Sequence, residues 1–146
     1  MAPPRSEDGP CVLVIDDDED IRESLMGYLE DHGFRALGVA NGKSALDLLA
    51  DPSRRPSAIV LDLMMPIMDG RGFREEQLRL PSLAKIPVVL ISAYANLIEV
   101  ASELGVSDYL AKPIDPRALI AVVRELCHPR AGEGDSAAHA DQAKDG

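Results

Sequence analysis

Asp16, Asp17, Asp62, Ser92 and Lys112 are the residues of this sequence whose types could do chemistry together. Three carboxylates brought close repel one another, so a proton or a cation must relieve them. A hard divalent cation with oxygen ligands does this. Mg²⁺ suits a site with few protein carboxylates, several waters and a phosphate oxygen. A lysine opposite the metal adds positive charge, and a serine hydroxyl adds a donor. Such a set stabilises charge on a transferring phosphoryl group, which needs positioning and electrostatics more than covalent help. A carboxylate flanked in this way can itself be the nucleophile and form an aspartyl phosphate.

These residues matter only if the fold brings them together, and the hydrophobic pattern says how it would. Short apolar runs alternate with helical spacing. Strands are predicted at Val12–Ile15, Phe34–Ala40, Ala58–Leu61, Pro87–Ile91 and Tyr109–Leu110. Helices are predicted at Asp18–His32, Lys43–Ala50, within Gly72–Leu80, at Asn96–Leu104, and after Asp115 and Pro116. Asp115 suits an N-cap and Pro116 the first helical position. Gly33 suits the left-handed position that ends the first helix. The inward faces are expected to be Ile21, Leu25, Tyr28 and Leu29, then Ala45, Leu46 and Leu49, and finally Leu119, Val122, Val123 and Leu126. Alternating strands and helices imply an α/β fold of three layers, a parallel sheet covered on both faces. In such sheets the working site lies beyond the carboxyl ends of the strands. Asp16 and Asp17 end the first strand, Asp62 the third and Ser92 the fourth, and Lys112 follows the fifth. Asp62 is the best nucleophile, because its strand lies between the acid pair and the lysine.

Composition sets the outer limits. The 146 residues make one domain, and 46% hydrophobic residues provide a core. Residues 1–10 read as a disordered lead, 11–128 as the folded domain and 129–146 as a flexible tail too short for a DNA-binding module. With 15 Lys and Arg against 25 Asp and Glu, the net charge is −10, which opposes binding to nucleic acid. The start of the chain has no apolar core for a signal peptide, and no run approaches the roughly 18 residues that span a bilayer. The expectation is a cytoplasmic protein with no membrane contact. Cys11 and Cys127 form no metal pattern and read as reduced, buried or edge thiols. His32, His128 and His139 have no sequence partners and read as solvated.

Competing motifs fail on particular residues. The stretch from Gly38 to Ser44 approaches a phosphate-binding P-loop, and a nucleotide-binding enzyme is the alternative function. The loop is one residue short, with Leu37 where the first Gly is required. Asp16, Asp18 and Asp20 begin an EF-hand pattern, but Ile21 replaces its Gly and Gly27 its last Glu. Gly70 and Gly72 lack the third Gly of a dinucleotide fingerprint, since Glu75 stands there. A haloacid-dehalogenase-like phosphatase would need an acid at Met64. Ordinary roles also exist for the site residues: Asp62 could cap a turn, an acid of the Asp16–Asp20 run could cap the first helix, and Tyr109 could simply pack.

Four segments, VLVIDD at Val12–Asp17, VLDLMMPIMDG at Val60–Gly70, LISA at Leu90–Ala93 and DYLAKP at Asp108–Pro113, resemble the motifs of response-regulator receiver domains in order and spacing. The resemblance covers about residues 11–128. It implies a flavodoxin-like sheet with strand order 2-1-3-4-5. It also implies Asp62 as phosphoacceptor, and Mg²⁺ held by Asp16, Asp17, Asp62 and the backbone carbonyl of Met64. Ser92 and Lys112 would contact phosphoryl oxygens, and Tyr109 would be the switch aromatic. A cis Lys112–Pro113 peptide is implied as well. Ser92 stands where Thr is also common, and Ile114 where Phe is frequent. Met64 and Tyr94 occupy positions that tune phosphoryl lifetime. The implied partners are a histidine kinase or histidine phosphotransfer protein as donor, and a protein that reads the face of the helix over 96–104, the fifth strand and the last helix.

Overall fold

The computed structural model describes residues 9–127. Apart from Gly9 and Pro10, the expected lead and tail lie outside the described residues, as do His128 and His139. Five parallel strands form one sheet in the order β2-β1-β3-β4-β5. They are β1 (Cys11–Ile15), β2 (Arg35–Val39), β3 (Ala58–Asp62), β4 (Val88–Ser92) and β5 (Asp108–Ala111). The helices are α1 (Glu19–Asp31), α2 (Gly42–Leu49), α3 (Gly70–Arg79), α4 (Pro81–Ala84), α5 (Leu97–Leu104) and α6 (Pro116–Cys127).

The three inner strands are buried along their whole length, because helices cover both faces. Side chains alternate between the two faces. Leu13, Ile15, Ile59, Leu61 and Leu90 pack with Ala45, Leu49, Phe73, Leu97 and Val100 from α2, α3 and α5. Val12, Val14, Val60, Val89 and Ile91 pack with Leu25, Leu29, Leu119, Ile120 and Val123 from α1 and α6. Each fully buried aliphatic side chain contributes about 1.5–3 kcal/mol, so a strand carrying a charge within these runs would not hold its place. The charges come instead at the strand ends.

Local signals set the helix starts. Asp18, Asn41 and Asp69 each accept a backbone N–H of the first turn, ahead of α1, α2 and α3. Asp18 is thus the acid of the run that caps. Gly33 takes φ +91°, as expected after α1. Several expectations need correction. α3 begins at Gly70 because Asp69 caps it, and a short helix with Pro81 at its start adds α4. Tyr28 does not face inward as its spacing predicts: it is 37% exposed, on a groove beside Pro113 and Ile114. On α6, Ile120 is buried while Val122 and Leu126 are only partly so. His32 is exposed, but its Nδ1 lies 2.8 Å from the Tyr28 carbonyl oxygen. Among the described residues, no helix is long and apolar enough to cross a membrane.

Candidate functional site

β1 ends at Ile15, and the chain turns at once into α1. Asp16 stays beneath this turn, fully buried, while Asp17 is exposed above it. Two bonds hold the turn: the Asp18 N–H donates to Asp16 Oδ1 at 2.9 Å, and Arg22 Nη1 donates to the Asp16 carbonyl at 2.8 Å. Asp62 is the last residue of the central strand β3 and is 4% exposed. Ser92 is the last residue of β4 and is also buried. Lys112 follows β5, and its N–H donates to the Ser92 carbonyl at 2.9 Å. The strand register therefore sets four chemical groups at one sheet edge.

Glycine permits the close approach behind Asp62. A Cβ on Gly70 would lie 2.7 Å from the Asp62 carbonyl oxygen and 2.9 Å from Leu63 Cα. The Gly70 N–H donates to the Leu63 carbonyl at 2.9 Å, which folds the loop back under the site.

One carboxylate oxygen from each of Asp16, Asp17 and Asp62 lies within 4.8 Å of the others. The Lys112 ammonium stands 3.1 Å from Asp16 Oδ2 and 3.4 Å from Asp62 Oδ2. Asp16 Oδ2 is buried with no hydrogen-bond partner among the described residues, and the Lys112 ammonium is the positive charge beside it. Burial, and then the Asp16 charge, push the Asp62 carboxyl up to about 7, against the pull of Lys112 and the Met64 N–H. Burial works against the Lys112 ammonium, but the two carboxylates outweigh it and hold its pKa above the usual lysine value. The cluster holds more negative charge than one lysine can balance.

These groups open onto a cavity of about 350 Å³ lined by Asp17, Asp62, Met64, Ser92, Tyr94 and Lys112. Ser92 Oγ accepts the Tyr94 N–H at 3.0 Å, which leaves its own hydrogen to donate. Asp16, Asp17, Asp62, Ser92 and Lys112 are thus brought together, and the Lys112–Pro113 peptide is cis. Tyr109 is not on the cavity wall. It is half-buried on β5 against the core under α5, and its N–H donates to Asp108 Oδ1.

Other candidates are placed elsewhere. Lys43 lies on the exposed side of α2 and pairs with Asp47 at 3.8 Å, so the P-loop-like stretch is a helix start capped by Asn41. Cys11 and Cys127 are free, and burial pushes both thiols up, Cys127 to about 11, which keeps them protonated. Sequence reasoning missed the buried pair Arg74 and Gln77 on α3. Both are types that ordinarily face water, and no pattern flagged them.

Residues 12–124 match the family model described as the response regulator receiver domain. An uncharacterized 14.6 kDa protein of Leptolyngbya boryana is 38% identical over 118 residues, covering 80% of this chain and 88% of that protein. The response regulator MprA of Mycolicibacterium vanbaalenii is 39% identical over 132 residues, covering 87% of this chain and 55% of that protein. The chain thus spans little more than half of MprA, and 50% of the transcriptional regulatory protein GltR of Pseudomonas aeruginosa. Among solved structures, the Francisella response regulator 1452 receiver domain superposes with a TM-score of 0.72 at 34% identity, over 82% of this chain and 97% of that one. The receiver domain of a signal transduction histidine kinase from Syntrophus aciditrophicus gives 0.76 at 28% identity, over 85% and 94%. With the sheet order, the acid cluster and the lysine all in place, the chain belongs to the response-regulator receiver-domain family.

Proposed function

We propose that this receiver domain is a phosphoacceptor, taking a phosphoryl group on Asp62 from a histidine kinase or a histidine phosphotransfer protein. The observation that carries the reading is the placement of Asp62. It is the buried carboxylate that lines the cavity, with an oxygen within 4.8 Å of the other two acids and the Lys112 ammonium 3.4 Å away. In the step, an Asp62 carboxylate oxygen bonds to phosphorus as the bond to the donor imidazole nitrogen breaks. The electron pair stays on that nitrogen.

The residues fit a hard cation: all the donors are oxygens, and Asp16 Oδ2 is buried without a hydrogen bond. Asp16, Asp17, Asp62 and the Met64 carbonyl would hold Mg²⁺, which when bound offsets negative charge on the acids and on the incoming phosphoryl oxygens. Lys112 supplies the opposite positive charge, and the Ser92 hydroxyl donates to a phosphoryl oxygen. Tyr109, on β5 next to α5, is proposed to respond to that recruitment. Output is a population shift read by a protein partner on the α5, β5 and α6 face. The transcriptional roles in the relatives' names belong to proteins about twice as long. The proposed site of action is the cytoplasm, where kinase donors act.

The test is labelling with acetyl phosphate and Mg²⁺. One phosphoryl group should be gained, mapped to Asp62, and lost in Asp62→Asn. Labelling of that variant at the wild-type level would place the acceptor elsewhere.

A further inference from the structure

The amino ends of the strands carry the opposite charge from the acid cavity. A second cavity, of about 290 Å³, is lined there by Cys11 from the start of β1, Arg35 and Leu37 from β2, and Ser53, Arg54 and Arg55 from the segment ahead of β3. Three arginines thus share one cavity in a chain whose net charge is −10.

Their charge is poorly met. Arg35 and Arg55 form no ion pair among the described residues. Arg54 Nε lies 3.8 Å from Asp51 Oδ2, with both side chains about half exposed, where such a pair is weak. The other Asp51 oxygen is committed to the turn Pro52–Arg54, accepting the Ser53 N–H at 3.0 Å and its hydroxyl at 2.8 Å. Cys11 adds no negative charge, since burial holds its thiol above the usual pKa against the pull of Arg35.

Neutral acceptors nonetheless hold two of the guanidinium groups in place. Arg55 Nε donates to the Leu49 carbonyl at 3.2 Å and its Nη1 to the Ser82 carbonyl at 3.3 Å, which fixes it between α2 and α4. Arg35 Nε donates to the Gly9 carbonyl at 3.3 Å. Arg55 Nη2 and both Nη groups of Arg35 make no hydrogen bond among the described residues. Guanidinium forks match phosphate oxygens two at a time. Here they reach the cavity from separate elements, so they can grip a tetrahedral group from more than one side. Several positive charges in one small cavity favour a ligand with several negative charges close together.

We propose that Arg35, Arg54 and Arg55 form a binding site for a small diphosphate-bearing anion, at the amino ends of the strands and separate from the acid cavity. The site does not depend on Asp62 accepting a phosphoryl group. Leu37 offers an apolar wall to any group the diphosphate carries.

Calorimetric titration of inorganic pyrophosphate into the full chain tests this, in EDTA so that no metal bridges the anion to Asp16, Asp17 and Asp62. The wild type should bind one pyrophosphate, more weakly as salt rises. Amide resonances should move at Arg35, Leu37 and Ser53 and stay in place at Asp62 and Lys112. Arg35→Gln and Arg54→Gln, at exposed positions, should each weaken binding about tenfold. Arg79→Gln, at an exposed pair with Glu76 on α3, should leave it unchanged. Arg55→Gln should also weaken it; if that variant does not fold, because the Leu49 and Ser82 carbonyls lose their donor, the two exposed arginines still decide. Asp51→Asn keeps an oxygen for the cap but removes the charge beside Arg54, so it should bind more tightly. ADP run beside pyrophosphate identifies the carrier. Tighter ADP assigns a nucleoside against Leu37, and ADP no tighter assigns the diphosphate alone; either result upholds the site. A wild type that takes up no pyrophosphate at low salt overturns it, as do shifts centred on Lys112, unchanged affinity in both Arg35→Gln and Arg54→Gln, or an equal loss in Arg79→Gln. Citrate binding as tightly as pyrophosphate overturns the phosphate chemistry.

Discussion

Asp62 lies where an ionised carboxylate is costly. Burial and the Asp16 charge raise it to about 7, far above the ordinary 3.8. Its folded pKa exceeds the unfolded one, so its contribution to stability is full below about pH 4 and lost as pH rises through about 7. Asp62→Asn cannot ionise. In metal-free buffer it should therefore melt higher than wild type, with a margin that widens from pH 4 to pH 7.5. A constant margin across that range would show that the charge is not the cause. Lys112 is the protein's own relief for the cluster. Lys112→Ala should destabilise the metal-free protein by about 1–3 kcal/mol, seen as a lower denaturation midpoint, and Mg²⁺ should restore part of the loss. The same variant should slow labelling by acetyl phosphate and block any conformational response to it. A response of wild-type size would mean that the lysine does not couple the phosphoryl charge to the switch.

Among the elements, the turns that join strands to helices do the positioning. β3 delivers Asp62, and α3 starts eight residues later with Gly70 tucked against the backbone of Asp62 and Leu63. Gly70→Ala would press a methyl group into main-chain atoms that cannot rotate away. The expected cost is about 1–3 kcal/mol in a denaturant melt, with slower phosphoryl transfer because Asp62 must shift. A variant with wild-type stability and labelling would show that the loop yields freely. This constraint was partly legible: the run from Val60 to Gly70 stood out as a motif, but the close approach itself comes from how the loop folds back. Gln77 is the opposite case. Nothing in its local pattern separates it from a surface glutamine, and only the return of the chain through α4 and Ile86 encloses it.

At the scale of the whole molecule, the strands bring repelling charges together and the core bears the cost. A cation that binds this cluster only in the folded state must raise stability. The gain is about 1.4 kcal/mol when free Mg²⁺ is ten times its dissociation constant, or a few degrees in melting temperature for a domain of this size. Asp62→Asn should shrink the Mg²⁺ effect, and Lys43→Ala, remote on α2, should leave it intact. Thermal melts with and without Mg²⁺ decide this, and a wild type indifferent to Mg²⁺ would remove the metal from the site.

The sequence by itself determined the strand and helix alternation, the sheet edge that carries Asp16, Asp17, Asp62, Ser92 and Lys112, and the caps at Asp18 and Asp115. These rest on apolar period and turn chemistry, which act over a few residues and are written locally. Other features were decided only by the tertiary structure. Tyr28 lies at helical spacing with the core residues of α1, yet it is 37% exposed on a groove beside Pro113 and Ile114. Arg74 and Gln77 go inside because the carbonyls of Leu104, Gly105, Leu83 and Ile86 wait there for donors. Asp16 and Asp17 are neighbours of one type, but the turn after β1 buries the first and exposes the second. Burial depends on what packs from distant parts of the chain, and no local pattern carries that information.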